Sequence, residues 1–218
     1  MTKVFTIDEV KRLITMKDVV DSVDKTFRGL ADGTVINPTK VTLDLGESAP
    51  YPPYDGFFNA MPAYIGYQDY AGIKWVGGIL GERKKAGLPF ICGMILLANP
   101  RLGTFLAVMD GAYITNLRTG AQTAISLKHI FKNQKSIRLG LYGCGMQGHT
   151  QTLAISEVFD IAEMHIYDAY PPAAEKFKAD MKNVVKGDII ICKNAQDACQ
   201  GDAVITVTQA KDGFLKSD

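Results

Sequence analysis

Apolar and polar positions follow one rhythm through the first part of the chain and a different one after it. Val41, Leu43 and Leu45 alternate with Thr42 and Asp44, which predicts a strand after the break at Gly33. Residues 57–65, 71–78, 90–98 and 104–109 read as further strands, the third strongly apolar. Turn signals separate them: YPPYDG at 51–56, a charged loop at 81–87, NPRLG at 99–103 and Asp110-Gly111. Strands 90–98 and 104–109 form a predicted hairpin. Helical spacing brackets this block. Thr6 and Glu9 make a T-x-x-E capping box that opens a short helix over 7–14. A longer helix over 16–30 gathers Val19, Val20, Val23, Phe27 and Leu30 on one face, and both read as packing helices. A helix over 112–131 packs through Ala121, Ala124, Ile125, Leu127 and Ile130.

The rhythm shifts near residues 128–135. Short strands at 139–142, 164–167, 188–192 and 203–207 then alternate with helices at 150–162 and 172–185 and a short segment at 195–199. Strands alternating with helices imply right-handed parallel crossovers. The predicted class is therefore α/β: a Rossmann-type parallel sheet over 128–218, preceded by an α+β domain over 1–127. A complete fold of this type has about six parallel strands. Four precede the polar end at 211–218, so the sheet is expected to be incomplete at the C-terminus, as a fragment or a natural truncation.

The densest chemical signal lies in the second part. Gly143, Gly145 and Gly148 form G-x-G-x-x-G between the first parallel strand and its helix, and Asp168 follows the second strand, 20 residues after Gly148. Gly143 permits the tight turn, Gly145 lets backbone approach a pyrophosphate, and Gly148 lets helix pack on strand. Free N–H groups and the dipole at the helix start favour phosphate charge. Asp168 would accept from a ribose 2′-OH and repel a 2′-phosphate, so NAD is expected over NADP. The alternative, a glycine turn in some other α/β unit, is disfavoured by the strand–helix–strand context.

Composition narrows the partners. The 218 residues carry 24 basic and 23 acidic side chains, a formal net charge of +1, and the longest basic cluster is Arg83-Lys84-Lys85. Nucleic acid is not an expected partner. Cys92 and Cys192 read as small core residues, Cys144 as the small side chain a glycine turn admits, and Cys199 completes the four without any C-x-x-C pair. His129, His149 and His165 lack metal-ligand spacing, and no metal is expected. Reduced thiols, no signal peptide and no membrane-length apolar run point to a cytoplasmic protein without a membrane partner.

Two cations stand out. Lys74 is the lone charge in its strand: buried, it would suit proton transfer near neutrality, and on an alternating strand it would face solvent. Pattern leaves both open. Arg118, followed by Thr119 near the start of the helix over 112–131, offers a fork for carboxylate or phosphate, or is a surface arginine.

Met61-Pro62-Ala63, Gly72-Ile73-Lys74, the block MDGAYITNLRTGAQTA over 109–124 and the loop GCGMQG over 143–148 together resemble the ornithine cyclodeaminase/mu-crystallin family, which includes archaeal-type alanine dehydrogenases. The likeness covers nearly the whole chain, which corresponds to roughly the first two-thirds of a family member. It implies hydride transfer between a nicotinamide cofactor and the α-carbon of an amino acid or cyclic imine. It implies Lys74 as the active-site lysine at the substrate carboxylate and in proton transfer. Arg118 would hold the carboxylate beside the cofactor phosphates, Met146 and Gln147 would contact the pyrophosphate, Asp168 the adenosine ribose, and Thr208 the cofactor from a strand end. Lys40 stands where many members have a substrate-binding arginine, which keeps charge but loses the bidentate fork. Phe90 stands where many cyclodeaminases have threonine, and their catalytic aspartate would lie beyond Asp218. The family further implies a homodimer through the first domain. An ornithine cyclodeaminase and a non-catalytic binding protein remain the alternatives.

Overall fold

The computed structural model describes residues 1–47, 49, 54–208 and 210. Residues 51–53 of the YPPYDG loop and the polar 211–218 end lie outside the described residues. The chain forms two compact units, Met1–Thr15 with Asp24–Thr115, and Met16–Val23 with Asn116–Asp218. The boundary drawn from sequence at 127/128 therefore differs: the structural units change over inside the long helix, at Thr115/Asn116.

In chain order the elements are β1 (Lys3–Phe5), α1 (Ile7–Leu13), α2 (Met16–Ala31), β2 (Val35–Ile36), β3 (Val41–Asp44), β4 (Gly56–Ile65), β5 (Tyr70–Ile79), α3 (Gly81–Lys85), β6 (Ile91–Asn99), β7 (Thr104–Asp110), α4 (Ala112–Ile130), β8 (Ser136–Tyr142), α5 (Met146–Ser156), β9 (Asp160–Tyr167), α6 (Pro171–Met181), β10 (Asp188–Ile191) and β11 (Ala203–Thr206), with a 3-10 turn at Asp197–Cys199 before the last.

The first unit is a seven-stranded sheet ordered β1-β7-β6-β5-β4-β2, with β3 also on β4. All its pairings are antiparallel except β1 on β7. The expected hairpin is β6–β7. Its turn closes because Asn99 Oδ1 accepts from the Arg101 and Leu102 N–H groups at 2.9 and 3.2 Å. The capping box forms as read: Glu9 N–H donates to Thr6 Oγ1, and Thr6 N–H to Glu9 Oε2 at 2.7 Å. Those bonds hold the Glu9 carboxyl below its usual range, the Thr6 backbone contributing most.

The second unit is a parallel sheet ordered β10-β9-β8-β11. Its core is fully buried Ile137, Leu139, Leu141, Ile155, Ile161, Met164, Ile166 and Phe177. Strand β8 is exposed at Ser136 and Arg138 and buried on both faces only from Leu139 to Tyr142, where its residues read as an apolar run.

Three expectations need correction. Residues 81–85 are one helical turn, α3, not loop: Glu82, Arg83, Lys84 and Lys85 favour helix, and the Lys84 N–H reaches Leu80 O at 3.2 Å. The helix read over 150–162 starts at Met146, inside the glycine motif, and ends at Ser156. Val158 and Ile161 continue its apolar spacing, but the Asp160 N–H bonds Lys135 O at 2.9 Å and starts β9. Cys92 and Cys192 are half-buried rather than core residues, while Cys144 is buried.

Candidate dinucleotide and substrate sites

The glycine loop is held by the strands around it. The Gly143 N–H donates to Tyr167 O at 2.9 Å, and the Val207 N–H donates to Tyr142 O at 2.8 Å. Gly143 has φ +99°, and a Cβ there would sit 2.5 Å from Val207 O. Only glycine fits that conformation in that space. A Cβ on Gly148 would meet Gly143 O at 2.5 Å, so its absence lets α5 start directly against the loop. Gly145 is different. It caps α5 with ordinary extended dihedrals, and a Cβ there would touch nothing within 4 Å. Its lack of a side chain leaves open space at the helix start, where unsatisfied N–H groups attract an anion.

Asp168 follows β9 and faces this loop. Its Oδ2 accepts from the Cys144 N–H and its Oδ1 from the Tyr170 N–H, both at 2.8 Å. Each carboxylate oxygen keeps a second lone pair for a hydroxyl. Burial, and then the Asp168 charge, push the Cys144 thiol up to about 12. It stays protonated and acts as a small filler, not a nucleophile.

Helix α4 meets α5 backbone to backbone. A Cβ on Gly120 would lie 2.3 Å from Thr150 O. One turn earlier, Gln147 Nε2 donates to Asn116 Oδ1 at 3.0 Å, and Thr150 Oγ1 donates to Gln147 O at 3.2 Å. Arg118 and Thr119 lie on the turn between these contacts, both half-buried. Burial depresses the Arg118 guanidinium. Its buried Nε has no hydrogen-bond partner among the described residues, and its Nη1 only grazes Gln122 Oε1 at 3.5 Å. A partly desolvated cation with an unused donor is stabilised by an anion. Thr208 lies just beyond β11 and accepts from the Ala210 N–H through Oγ1 at 3.1 Å.

The first unit holds the two lysines. Lys74 is half-buried on β5, opposite Met61 of β4 and Ile95 of β6. Its half-burial lies between the two arrangements that pattern left open, a buried lysine and a solvent-facing one. Lys40 is exposed, one residue ahead of β3. Val41 pairs with Ala60, so the register sets Lys40 opposite Met61, in the same cross-strand row as Lys74. Two strand spacings separate them, about 10 Å.

The sequence profile of the ornithine cyclodeaminase/mu-crystallin family matches residues 1–218. The chain belongs to that family. Among similar family proteins, alanine dehydrogenase of Archaeoglobus fulgidus is 35% identical over 217 residues, covering 100% of this chain and 63% of its own. An archaeal alanine dehydrogenase dimer with bound NAD superposes with TM-score 0.83 at 36% identity, over 95% of this chain and 60% of that one. The Δ1-pyrroline-2-carboxylate reductase of Thermococcus litoralis, in complex with NADH and L-proline, superposes with TM-score 0.86 at 30% identity, over 96% and 63%. This family member thus spans less than two-thirds of the relatives it matches, and its mixed α/β architecture is theirs.

Three residues around this family member's glycine loop were not singled out from the sequence. Asn116 anchors Gln147, Gly120 sets the α4–α5 approach, and His149 contacts the Gly145 carbonyl. Gly120 carried a usable signal, a glycine inside a strong helix pattern. Asn116 and His149 are single polar residues on helices and carry none.

Proposed function

We propose that this protein is an NAD-dependent oxidoreductase acting on an amino acid or cyclic imine, of the alanine dehydrogenase/ketimine reductase type. The observation that carries the reading is the open Gly145 position at the start of α5, with Asp168 beside the loop. Gly143, Gly145, Met146, Gln147 and Gly148 would hold the pyrophosphate, with Arg118, Thr119 and Thr208 closing on the cofactor. Bound NAD supplies the hydride acceptor and donor. In the first unit Lys40 and Lys74 would pair with the substrate carboxylate, and in the second Arg118 offers its fork to a carboxylate or a phosphate. Lys74 Nζ would also pass the proton that accompanies C–H bond chemistry at the substrate nitrogen.

The test is a screen of amino acids with NAD, and of 2-oxo acids plus ammonia or cyclic imines with NADH. Cofactor oxidation or reduction with one of these supports the reading. Ammonia release from ornithine without net redox change would mean the cyclodeaminase reaction instead. Nucleotide binding without turnover would leave a mu-crystallin-like binding protein.

The Asp168 charge supports NAD over NADP. Asp168→Asn keeps an acceptor for one of the two N–H groups that Asp168 now holds and removes the repulsion of a 2′-phosphate. NADPH affinity is expected to rise about tenfold relative to NADH, the scale of one charge–charge term near a protein surface. Fluorescence titration with both nucleotides checks this, and an unchanged ratio would remove Asp168 from the specificity role.

The first unit also supports a homodimer. Val41, Ala60, Trp75 and Met94 share one row across β3–β6. Val41, Trp75 and Met94 are 69, 58 and 54% exposed, and Leu43, next along β3, is 54% exposed. An apolar sheet face of this kind marks an interface, and the archaeal relative is a dimer. Trp75→Glu is expected to give a monomer in sedimentation, and an unchanged dimer would exclude this face. Four free thiols fit a reducing, cytoplasmic setting. No helix among the described residues is long and apolar enough to cross a membrane.

A further inference from the structure

We infer that His149 is a positioning residue whose imidazolium grips the Gly145 carbonyl and so strengthens the Met146 N–H as a pyrophosphate donor. The inference rests on the dinucleotide reading of the loop and names a residue that reading does not use. His149 lies in the first turn of α5. Its backbone N–H reaches Gly145 O at 3.2 Å, and its ring Nδ1 reaches the same oxygen at 2.9 Å. The other ring nitrogen, Nε2, lies 3.1 Å from Asp180 Oδ2 on α6. The Phe177 ring packs against the imidazole edge to face, 4.8 Å between centroids.

Both partners of the ring are acceptors. A carbonyl oxygen cannot donate. The Asp180 carboxyl is held below its usual range by Lys176 first and His149 second, so it is ionised and cannot donate either. Both ring nitrogens must therefore carry protons for both contacts to hold. The geometry is that of an imidazolium braced by Asp180, with Lys176 Nζ 2.8 Å from the same carboxylate oxygen. Helix α6 brings two charged groups to the ring, Asp180 directly and Lys176 through it. Strand β9 turns Met164 toward Thr152 of α5, while its Glu163 and His165 pair with each other. Helix α4 meets α5 through Gly120 and Asn116.

The chemical consequence runs through one peptide unit. Gly145 C=O and Met146 N–H belong to the same amide. Hydrogen bonds to the carbonyl, one of them from a cation, polarise that amide and make its N–H a stronger donor. The Met146 N–H is one of the free groups at the start of α5, beside the open Gly145 position. Loss of a ring proton removes one of the two contacts and the added charge, so NADH affinity should fall as pH rises and the ring is deprotonated.

The test is NADH affinity of the purified full chain, by fluorescence titration from about pH 5.5 to about pH 9. The wild-type dissociation constant is expected to rise about fivefold across the range, the loss of a charge-assisted bond acting at one remove. His149→Asn retains an N–H for Gly145 O without a charge. It should bind NADH with a pH-independent constant near the wild-type high-pH value, at unchanged melting temperature. Asp180→Asn removes the carboxylate that braces the ring at Nε2 and should weaken NADH binding at the acid end of the range, flattening the pH profile. A pH profile identical in wild type and both variants overturns the inference while leaving the dinucleotide reading standing. No NADH binding by folded wild type at any pH overturns both.

Discussion

Lys74→Ala is expected to lower kcat about a thousandfold, within the range general acid–base groups contribute, and to leave the NADH dissociation constant unchanged. The separation follows from placement. Lys74 belongs to the antiparallel unit and the glycine loop to the parallel one. Removing the ammonium would take away the proposed carboxylate partner and proton carrier while changing no residue of the unit that carries the loop. Lys40, exposed in the same cross-strand row, would then hold substrate weakly, so KM is expected to rise as well. Steady-state kinetics beside nucleotide titration separates the effects. Equal loss of turnover and of NADH binding would sink the assigned role.

Gly145→Val is expected to raise the NADH dissociation constant about a hundredfold or more, because a side chain there fills the position from which an anion reaches the helix start. The fold should tolerate it. Gly145 has φ −80° and ψ −163°, which valine adopts readily, and a Cβ meets nothing within 4 Å. The same change at Gly143 would confound the result, since its φ of +99° and the Val207 carbonyl make glycine obligatory for the turn itself. A Gly145→Val protein with normal melting and normal NADH affinity would show that the glycine is not there for a ligand.

The loop was legible because three local signals coincide there: a short apolar strand, glycines at fixed offsets and an acid after the next strand. Each has a cause within a few residues along the chain. The end of α5 was not legible, because Val158 and Ile161 keep helical spacing while the Asp160–Lys135 backbone bond has already started β9. Strands β1 and β2 are three and two residues long and exist through pairing with β7 and β4, so no local pattern announces them. Helix α3 is one turn, short enough for its charges to read as loop. At the site, Arg118 was visible as a residue type, but the burial of its Nε, without a hydrogen-bond partner among the described residues, is a product of tertiary packing. Asn116 and His149 acquire meaning only from Gln147, Gly145 and Asp180.

The central claim is that the loop from Gly143 to Gly148, with Asp168, binds NAD. Its most direct test is equilibrium titration of the folded protein with NADH and NADPH by nucleotide fluorescence. The expected result is saturable NADH binding, with NADPH binding at least about tenfold weaker from the repulsion between the Asp168 carboxylate and a 2′-phosphate. Failure to bind either nucleotide, or tighter binding of NADPH, would contradict it.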